Sequence, residues 1–392
     1  MKLALVFDGL RCGGIERVGL DYINIFINLG YEVTVYNLNP KLTEMENEIC
    51  EECKIEHIVF PRWLAPERYA ATLKKTWWGK YIYPLAYLFI TWINVLYHVV
   101  LFIRKPSIRK KFDVSVAFSG HMNDLTFITG NFVKSKHKVA WLHGALYGYA
   151  IISPGFLRLY SKIKNLVSLS DSCDAAFYRY LNEFNINKKT IYNPVFIQNR
   201  MIDDVFVEKL KKVYGDFCLM VARLEDDKDQ KTAIDAIGIL KNKYGLKKNL
   251  LLVGDGKNRH SLEQYVIDKQ MDDQVFFMGK RADVQNFYSS AAIYVHSSPL
   301  EGLPTVLLEA MNYHLPIAST DSIPGVTEIL QNEKYGLVSN IFDFEGLADN
   351  IYKLYTDDKL SMKLINAGAN RIRDFSPEEI ERKINTFFRT LL

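Results

Sequence analysis

Two glutamates and a helix start form the most chemically suggestive pattern in the 392-residue chain. Glu301 precedes a predicted helix and Glu309 lies more than a turn inside it, while Pro304 suits the first helical position because its missing N–H would have no partner there. The amides of Thr305 and Val306, at the positive end of the helix dipole, would then form an anion site. Phosphates would bind these amides, and the carboxylates would accept hydrogen bonds from sugar hydroxyls. A surface helix with two solvated glutamates explains the same pattern, so the surrounding motifs must decide.

Two cations follow a strand predicted over residues 218–221. Arg223 offers a planar fork to a phosphate, and Lys228 offers a point charge. A surface ion pair is the alternative interpretation of Arg223. The acidic run at residues 226–229 is predicted to be a solvated turn around Lys228 rather than a metal site. Arg223 and Lys228 could therefore bind a phosphate group through fixed positive charge, without a metal.

A histidine follows a predicted strand in the first half of the chain. His143 comes directly after the strand predicted over residues 138–142, and ligands bind open α/β sheets at such strand ends. His121, after the strand predicted over residues 113–118, is a second candidate. A lone histidine is more often structural, so the position at a strand end carries this interpretation.

Short apolar runs alternate with helical segments in both halves of the chain, which predicts two doubly wound α/β domains with parallel sheets. A proline that cannot continue a strand follows Tyr192. We therefore place the first domain at residues 1–192, the second at residues 193–376 and a last helix at residues 377–392.

Together these motifs resemble glycosyltransferase family 4, a retaining group with the GT-B fold, of the bacterial surface-polysaccharide or lipid-linked-glycan type. One departure is Asp229, which stands where a glycine usually follows the lysine. The motifs run through most of the chain: Gly13-Gly14-Ile15-Glu16-Arg17-Val18, Val221-Ala222-Arg223-Leu224 with Lys228, Leu252-Val253-Gly254-Asp255-Gly256, Asn193-Pro194-Val195, and the glutamates Glu301 and Glu309.

The resemblance implies two Rossmann-like domains that face each other across a cleft, with the last helix crossing back to the first domain. It implies that His143 and Glu301 are catalytic: His143 contacts the transferred sugar and Glu301 holds its hydroxyls. The first domain would bind the acceptor and the second the nucleotide sugar. The donor-binding residues would be Gly13, Gly14, Arg223, Lys228, Gly302, Leu303, Thr305, Val306 and Glu309.

The reaction implied is retaining transfer of a hexose or N-acetylhexosamine from a nucleoside-diphosphate sugar, for which we expect UDP, to a glycan or lipid-linked acceptor. No cofactor and no metal are expected. Two alternatives remain open: a nucleotide-sugar epimerase of the same architecture, and a non-catalytic scaffold subunit at a membrane.

Basic residues are concentrated in one part of the first domain. Between Arg62 and Lys111 there are ten basic residues and one acidic residue, Glu67, although the whole chain has a net charge of only +4. This excess predicts an anionic partner. It adjoins an apolar run, so nucleic acid is not expected.

The apolar run, Tyr81–Ile103, contains no Asp, Glu, Lys or Arg and is long enough to cross a bilayer. A crossing would place strands of one sheet on opposite sides of the membrane, which excludes it. Two alternatives stay open: buried core helices with a break at Pro84, or contact of the segment near residues 74–111 with an anionic membrane surface. We favour the second and expect a cytoplasmic protein, peripheral on the inner face of the cytoplasmic membrane.

Overall fold

The computed structural model describes residues 1–71, 77–143, 153–170, 180–196, 201–323 and 325–392. The chain divides into two compact units: Met1–Pro194 with Pro377–Leu392, and Val195–Ser376. The division thus lies two residues beyond the one predicted from the sequence, and the last helix belongs to the first unit.

The first unit is built on a parallel sheet. Within the described residues the strand order is β3-β2-β1-β4-β5-β6-β7. The interior strand β1 is buried except at its first residue, which explains its continuous apolar sequence. The strands are Lys2–Phe7 (β1), Glu32–Asn37 (β2), Lys54–His57 (β3), Lys111–Ala117 (β4), Lys134–Leu142 (β5), Asn165–Ser168 (β6) and Asn187–Thr190 (β7).

Helices and short 3-10 turns connect these strands. The 3-10 turns at Arg62–Leu64 and Pro66–Ala71 precede the longest helix, and one at Pro106–Arg109 follows it. The first helices of the unit are Gly14–Asn28 (α1), Gly79–Arg104 (α2), Met122–Thr129 (α3) and Gly155–Ile163 (α4).

The long helix α2 is an exposed helix. Its most apolar window is long and apolar enough to cross a membrane, yet only 11% of that window is buried inside the protein. The expectation of buried core helices is therefore wrong. The break expected at Pro84 is also wrong, because the helix runs continuously through that residue.

The second unit repeats the design. Its strand order, within the described residues, is β10-β9-β8-β11-β12-β13, and all neighbours are parallel. Its core is a cluster of buried aliphatic side chains that includes Leu252, Ile293 and Ile351. The strands are Phe217–Val221 (β8), Asn249–Val253 (β9), Val275–Gly279 (β10), Ile293–His296 (β11), Ile317–Thr320 (β12) and Leu337–Ser339 (β13).

The helices of the second unit follow its strands in alternation, as the right-handed connections of parallel sheets require. They are Asp204–Tyr214 (α5), Gln230–Tyr244 (α6), Arg259–Asp268 (α7), Val284–Ser290 (α8), Thr305–Asn312 (α9), Gly325–Leu330 (α10), Phe344–Thr356 (α11) and Asp358–Arg371 (α12).

The last helix, Pro377–Leu391 (α13), returns to the first unit. Its buried residues repeat at intervals of three and four, which gives it one apolar face. Phe388 on this face packs against Phe26 of α1, with ring centroids 5.2 Å apart.

Candidate active site

The sheet of each unit reverses its strand order at one place, and open α/β sheets bind ligands outside the strand ends at such a place. In the second unit the reversal lies between β8 and β11. The loop after β8 carries Arg223 and Lys228, and the loop after β11 carries Glu301. The topology therefore brings together residues that lie more than seventy positions apart in the sequence.

An ion pair joins these two loops. The Lys228 ammonium donates to Glu301 Oε1 at 2.7 Å, and both side chains are largely buried. His296, which ends β11, places Nε2 3.5 Å from the same oxygen, while its Nδ1 lies 3.2 Å from the Ser319 hydroxyl. Burial raises the pKa of Glu301, but His296 and Lys228 outweigh that effect and bring the pKa down to about 2. Glu301 is therefore ionised at neutral pH.

The loop after β8 is held in shape by hydrogen bonds from Gln230, the first residue of α6, and from Ser297, in the loop after β11. Gln230 donates to the Arg223 carbonyl at 2.7 Å, and the Ser297 hydroxyl donates to the Asp229 carbonyl at 2.7 Å. Asp229 has a φ of +46° and lies in the left-handed region, which accounts for the glycine usual at this position. An aspartate tolerates this region better than most residues, so the turn is kept.

Arg223 and Lys228 differ in accessibility. The Arg223 side chain is 68% exposed and lies 3.3 Å from Asp227, whereas the Lys228 side chain is only 15% exposed. Arg223 is thus in a surface ion pair in this structure, as the alternative interpretation expected, and its guanidinium remains accessible to a ligand.

A glycine allows the loops after β8 and β9 to touch. A Cβ at Gly254 would lie 1.9 Å from the Ala222 carbonyl oxygen, and its φ is +146°. No side chain fits there. The contact continues in the backbone, where Leu224 N–H donates to the Asp255 carbonyl at 3.1 Å and Asn258 N–H donates to the Leu224 carbonyl at 3.0 Å.

The predicted anion site lies at the start of α9. The helix begins at Thr305, and Pro304 is its N-cap with an extended ψ of 96°. The prediction of Pro304 at the first helical position is therefore wrong by one residue, because the proline still precedes the first helical turn. Thr305 and Val306 are the first two helical residues, whose N–H groups have no partner within a helix. Gly302 and Leu303 lie in the loop that leads into them.

Glu309 lies in α9 above a group of buried tyrosines. Burial raises the pKa of Tyr288 well above its usual value, and the neighbouring Glu309 carboxylate adds to the effect. The rings of Tyr288 and Tyr294 stack at 5.6 Å, and those of Tyr288 and Tyr313 stack at 5.5 Å. These aromatic rings fix the surroundings of the Glu309 carboxylate.

In the first unit, the glycine-rich loop leads directly into α1. Gly13 is the N-cap and Gly14 is the first helical residue. A Cβ at Gly13 would lie 2.4 Å from Oε2 of Glu16, whereas a Cβ at Gly14 would meet nothing within 4 Å. The absence of a side chain at Gly13 thus lets the Glu16 carboxylate lie against the start of the helix.

His143 directly follows β5 at the carboxyl edge of the first sheet and is half-buried. Its Nε2 lies 2.6 Å from the Phe118 carbonyl oxygen, which only accepts hydrogen bonds, so Nε2 carries the proton. Burial lowers the pKa of His143 to about 4, against the opposing effect of that carbonyl. The ring is therefore neutral at physiological pH, with a lone pair on Nδ1.

A second polar group lies at the same sheet edge, after β1 and β4. His121 Nδ1 lies 3.3 Å from Asp8 Oδ2, and Asn123 donates to Asp8 Oδ1 at 2.7 Å. The hydrogen bond to Asp8 raises the pKa of His121, although burial opposes it. Asp124 accepts the Gly120 N–H at 2.9 Å, and burial raises its pKa to about 7. We call Asp8, His121, Asn123 and Asp124 the acidic-histidine cluster.

Sequence reasoning therefore found only part of each group. It identified Lys228 and Glu301 but missed His296, and it identified His121 but missed Asp8 and Asn123. For Asp8 the available signal was its position directly after the apolar strand β1, and for His296 its position as the last residue of β11, whereas Asn123, inside α3, had no such signal. Within the described ranges, no group of three or more His, Cys, Asp or Glu residues is arranged to hold a metal ion.

Comparison with known proteins bears on both units. Residues 202–371 match the family model of Glycosyl transferases group 1. Over 98% of its length the chain is 22% identical to an undecaprenol-linked-glycan α-1,4-N-acetyl-D-galactosaminyltransferase of Campylobacter jejuni, covering 97% of that protein. It is 30% identical over 41% of its length to the lipopolysaccharide core biosynthesis glycosyltransferase LpsE of Rhizobium meliloti, covering 46% of that protein.

Solved structures show the same fold over the whole chain. The Anabaena protein Alr3699/HepE, solved in complex with UDP, superposes with a TM-score of 0.70 at 18% identity and full coverage of both chains. The apo lipopolysaccharide outer core galactosyltransferase WaaB superposes with a TM-score of 0.70 at 16% identity, again with full coverage of both chains.

The chain is a GT-B glycosyltransferase. This confirms the glycosyltransferase activity and the fold class that the sequence predicted. Membership of family 4 in particular stays a prediction. This GT-B glycosyltransferase covers nearly the full length of one relative but about half the length of most others. Its own substrates are therefore proposed below.

Proposed function

We propose that this glycosyltransferase transfers a hexose or N-acetylhexosamine from a UDP-sugar to a lipid-linked glycan acceptor, with retention of anomeric configuration. The observation that carries the donor assignment is the Lys228–Glu301 pair at the reversal point of the second sheet, next to the start of α9. In this pair, a cation that can bind phosphate and a carboxylate that can accept hydrogen bonds from hydroxyls lie within hydrogen-bonding distance of each other.

The proposed roles follow from the charge of each group. Thr305 and Val306 offer amides to the diphosphate at the positive end of the α9 dipole. Arg223 offers two parallel donors to phosphate oxygens. Lys228 has three donors, so it can hold Glu301 and still donate to a phosphate.

Because these positive groups can stabilise the leaving diphosphate, we also propose that the transfer is independent of a metal. As the sugar–phosphate bond breaks, negative charge develops on the leaving diphosphate and must be stabilised. Arg223, Lys228 and the helix dipole supply fixed positive charge for this purpose. We expect that chelation of divalent cations with EDTA leaves the rate unchanged; a rate that falls and returns with added Mn²⁺ would contradict this part.

Two carboxylates and a neutral histidine are assigned to the sugar. The ionised Glu301 accepts hydrogen bonds from hydroxyls of the transferred sugar, and Glu309 accepts hydrogen bonds from the ribose. The His143 Nδ1 lone pair accepts a hydrogen bond from a hydroxyl of the transferred sugar, and because the ring is neutral it stabilises charge as a dipole and not as a cation. Gly14, where a Cβ would meet nothing within 4 Å, leaves open space for the donor at the start of α1, and Gly13 lets the Glu16 carboxylate lie beside it.

Known proteins support the choice of donor and acceptor. Alr3699/HepE has been solved with UDP and with UDP-glucose, which supports a UDP-sugar donor here. The Campylobacter jejuni relative is named for an acceptor linked to undecaprenol through a diphosphate, which supports a lipid-linked acceptor.

The test is a product assay with a panel of nucleotide sugars and short polyprenyl-diphosphate-linked glycans. We expect one UDP-sugar to give an acceptor product whose new linkage has the anomeric configuration of the donor by NMR. Conversion of the donor to an epimer without an acceptor product would instead indicate an epimerase. Donor binding without any turnover would indicate a non-catalytic subunit.

A further inference from the structure

The exposed side of α2 is apolar, which reverses the usual arrangement of a surface helix. Nine large apolar side chains recur along one face at intervals of three and four residues, and each is 48% to 69% exposed. Over 22 residues at 1.5 Å each, the stripe is roughly 33 Å long. We call it the apolar stripe; it consists of Tyr81, Leu85, Leu88, Phe89, Trp92, Val95, Leu96, Val99 and Ile103.

The opposite side of the helix is fixed to the first unit. Ile90 and Leu101 are buried, and Asn94 donates to the Leu64 carbonyl at 2.7 Å. Tyr97 hydrogen-bonds the Val59 carbonyl, and Arg158 lies over the Tyr83 ring at 5.3 Å. The helix is therefore held along its length, and the orientation of the stripe toward solvent is set by packing.

The same attachment excludes a membrane crossing by α2. The helix lies in the chain between β3 and β4, which are strands of one sheet. Its inner side contacts residues before and after it in that unit along several turns. A bilayer can therefore meet only the outer side, with the helix lying in the plane of the surface.

Charge at the two ends of the stripe is positive. Lys80 is exposed before it, and Arg104, Lys105 and Lys111 are exposed after it. The one acidic residue of the basic segment, Glu67, is only 1% exposed and is paired with Lys162 at 2.8 Å. No carboxylate of this segment thus faces outward to repel an anionic surface.

We propose that α2 is a docking surface for an anionic lipid bilayer, with the apolar stripe in the interfacial region and the flanking cations at the headgroups. Large exposed apolar side chains that stand singly are normal on a monomer, whereas nine of them in one continuous stripe mark an interaction surface. A protein interface of similar area would carry polar groups for about one hydrogen bond per 100–200 Å², whereas this stripe offers only the Tyr81 hydroxyl and the Trp92 N–H. The position of aromatic rings beside cations fits the headgroup boundary.

Such docking would place the enzyme on the inner face of the cytoplasmic membrane, where a lipid-linked acceptor is within reach. The docking does not depend on the proposed reaction, because it is measured without donor or acceptor. Failure of one therefore leaves the other standing.

The test is flotation of the full chain with phosphatidylcholine vesicles that contain or lack 30% phosphatidylglycerol. We expect the parent to float with the anionic vesicles and the Leu88→Glu/Trp92→Glu variant to bind at least about tenfold more weakly, or about 1.4 kcal/mol. The matched control is Val205→Glu, on the second unit, where a 79% exposed apolar side chain is replaced. The control should float like the parent.

Two further measurements separate the parts of the proposal. Lys105→Glu/Lys111→Glu should lose the preference for anionic vesicles. Quenching of tryptophan fluorescence by lipids brominated on the acyl chains should weaken in Trp92→Phe, a variant that keeps an apolar ring and so tests the contact even if the glutamate variant misfolds.

Three results would overturn the proposal. One is a folded parent that does not float with anionic vesicles. Another is equal flotation of parent and Leu88→Glu/Trp92→Glu, together with quenching that does not change in Trp92→Phe. The third is a parent that does not bind vesicles and sediments as a dimer, while the Leu88→Glu/Trp92→Glu variant sediments as a monomer. That result would make a second copy of the chain the occupant of the stripe.

Discussion

Replacement of Glu301 by glutamine tests the electrostatics of the donor site. The pKa of Glu301 falls from its ordinary 4.5 to about 2 because Lys228 and His296 hold its charged form. At about 1.4 kcal/mol per pKa unit, this corresponds to about 3 kcal/mol of stabilisation at neutral pH. Glutamine still accepts a hydrogen bond from Lys228, so we expect Glu301→Gln to lower the free energy of unfolding by about 1–3 kcal/mol at pH 7.

The sign of the pH dependence follows from the depressed pKa. The contribution of the ionised Glu301 carboxylate to the free energy of unfolding is complete above about pH 5. It is lost as the pH falls from about 4.5 toward 2. The difference between parent and Glu301→Gln should therefore shrink to about half or less at pH 3.

The assay must report on the second unit alone. All five tryptophans lie between residues 63 and 141, so tryptophan fluorescence reports on the first unit. Hydrogen exchange of peptides from Asn249–Val253, followed through urea unfolding, reports on the core of the second. Asp226→Asn, which breaks an exposed ion pair with Lys257, is the control and should change little. An equal effect of Glu301→Gln at pH 7 and pH 3 would refute this reasoning.

Three further variants test other parts of the structure. Asp124→Asn should gain stability relative to the parent by on the order of 2 kcal/mol as the pH rises from about 5 to about 8. The reason is that the buried carboxyl of the parent holds its proton to about pH 7 in the folded chain but releases it near pH 4 when unfolded. A difference in thermal stability between the two proteins that is the same at both pH values would argue against this. Gly254→Ala should cost at least 2 kcal/mol or so, and Gly245→Ala, at a positive φ with open space, only about 1 kcal/mol; equal costs in urea unfolding would show that the close approach is unimportant. Asp8→Asn should lower the pKa of His121 in an NMR titration, and an unchanged pKa would show that their hydrogen bond is not formed.

Much of the fold was predictable because central parallel strands are buried on both faces. The strands predicted over residues 113–118 and 218–221 are present as β4, Lys111–Ala117, and β8, Phe217–Val221, with bounds that differ by one or two residues. The sequence did not predict β3 or β13, which are short edge strands with partly exposed residues. Edge strands lack a second apolar face, so their sequences carry less signal.

The long helix α2 shows where local rules give the wrong answer. A proline inside a helix normally disturbs it, and an apolar helix is normally buried. Pro84 lies early in the helix on its exposed side, and Leu85 and Leu88 of the apolar stripe are exposed as well, although Tyr83 beside it is buried. Only the tertiary structure shows which side of the helix the protein covers.

The candidate site was predictable as motifs but not as geometry. Lys228 and Glu301 each belonged to a motif, yet the distance between them depends on β8 and β11 being neighbours. His296 escaped notice because a histidine at the end of a buried strand has no distinctive neighbours in sequence. Of the acidic-histidine cluster only His121 was predicted, because Asp8 follows β1 whereas the other members follow β4, and only the sheet makes β1 and β4 neighbours.

The most direct test of the account is calorimetric titration of UDP into the parent and Glu309→Ala. The account places the nucleotide ribose on Glu309, so Glu309→Ala should weaken UDP binding at least about tenfold, or about 1.4 kcal/mol. Glu345→Ala, at an exposed glutamate in the first turn of α11, should bind UDP like the parent. A parent that binds UDP with the same affinity as Glu309→Ala would contradict the placement of the donor site.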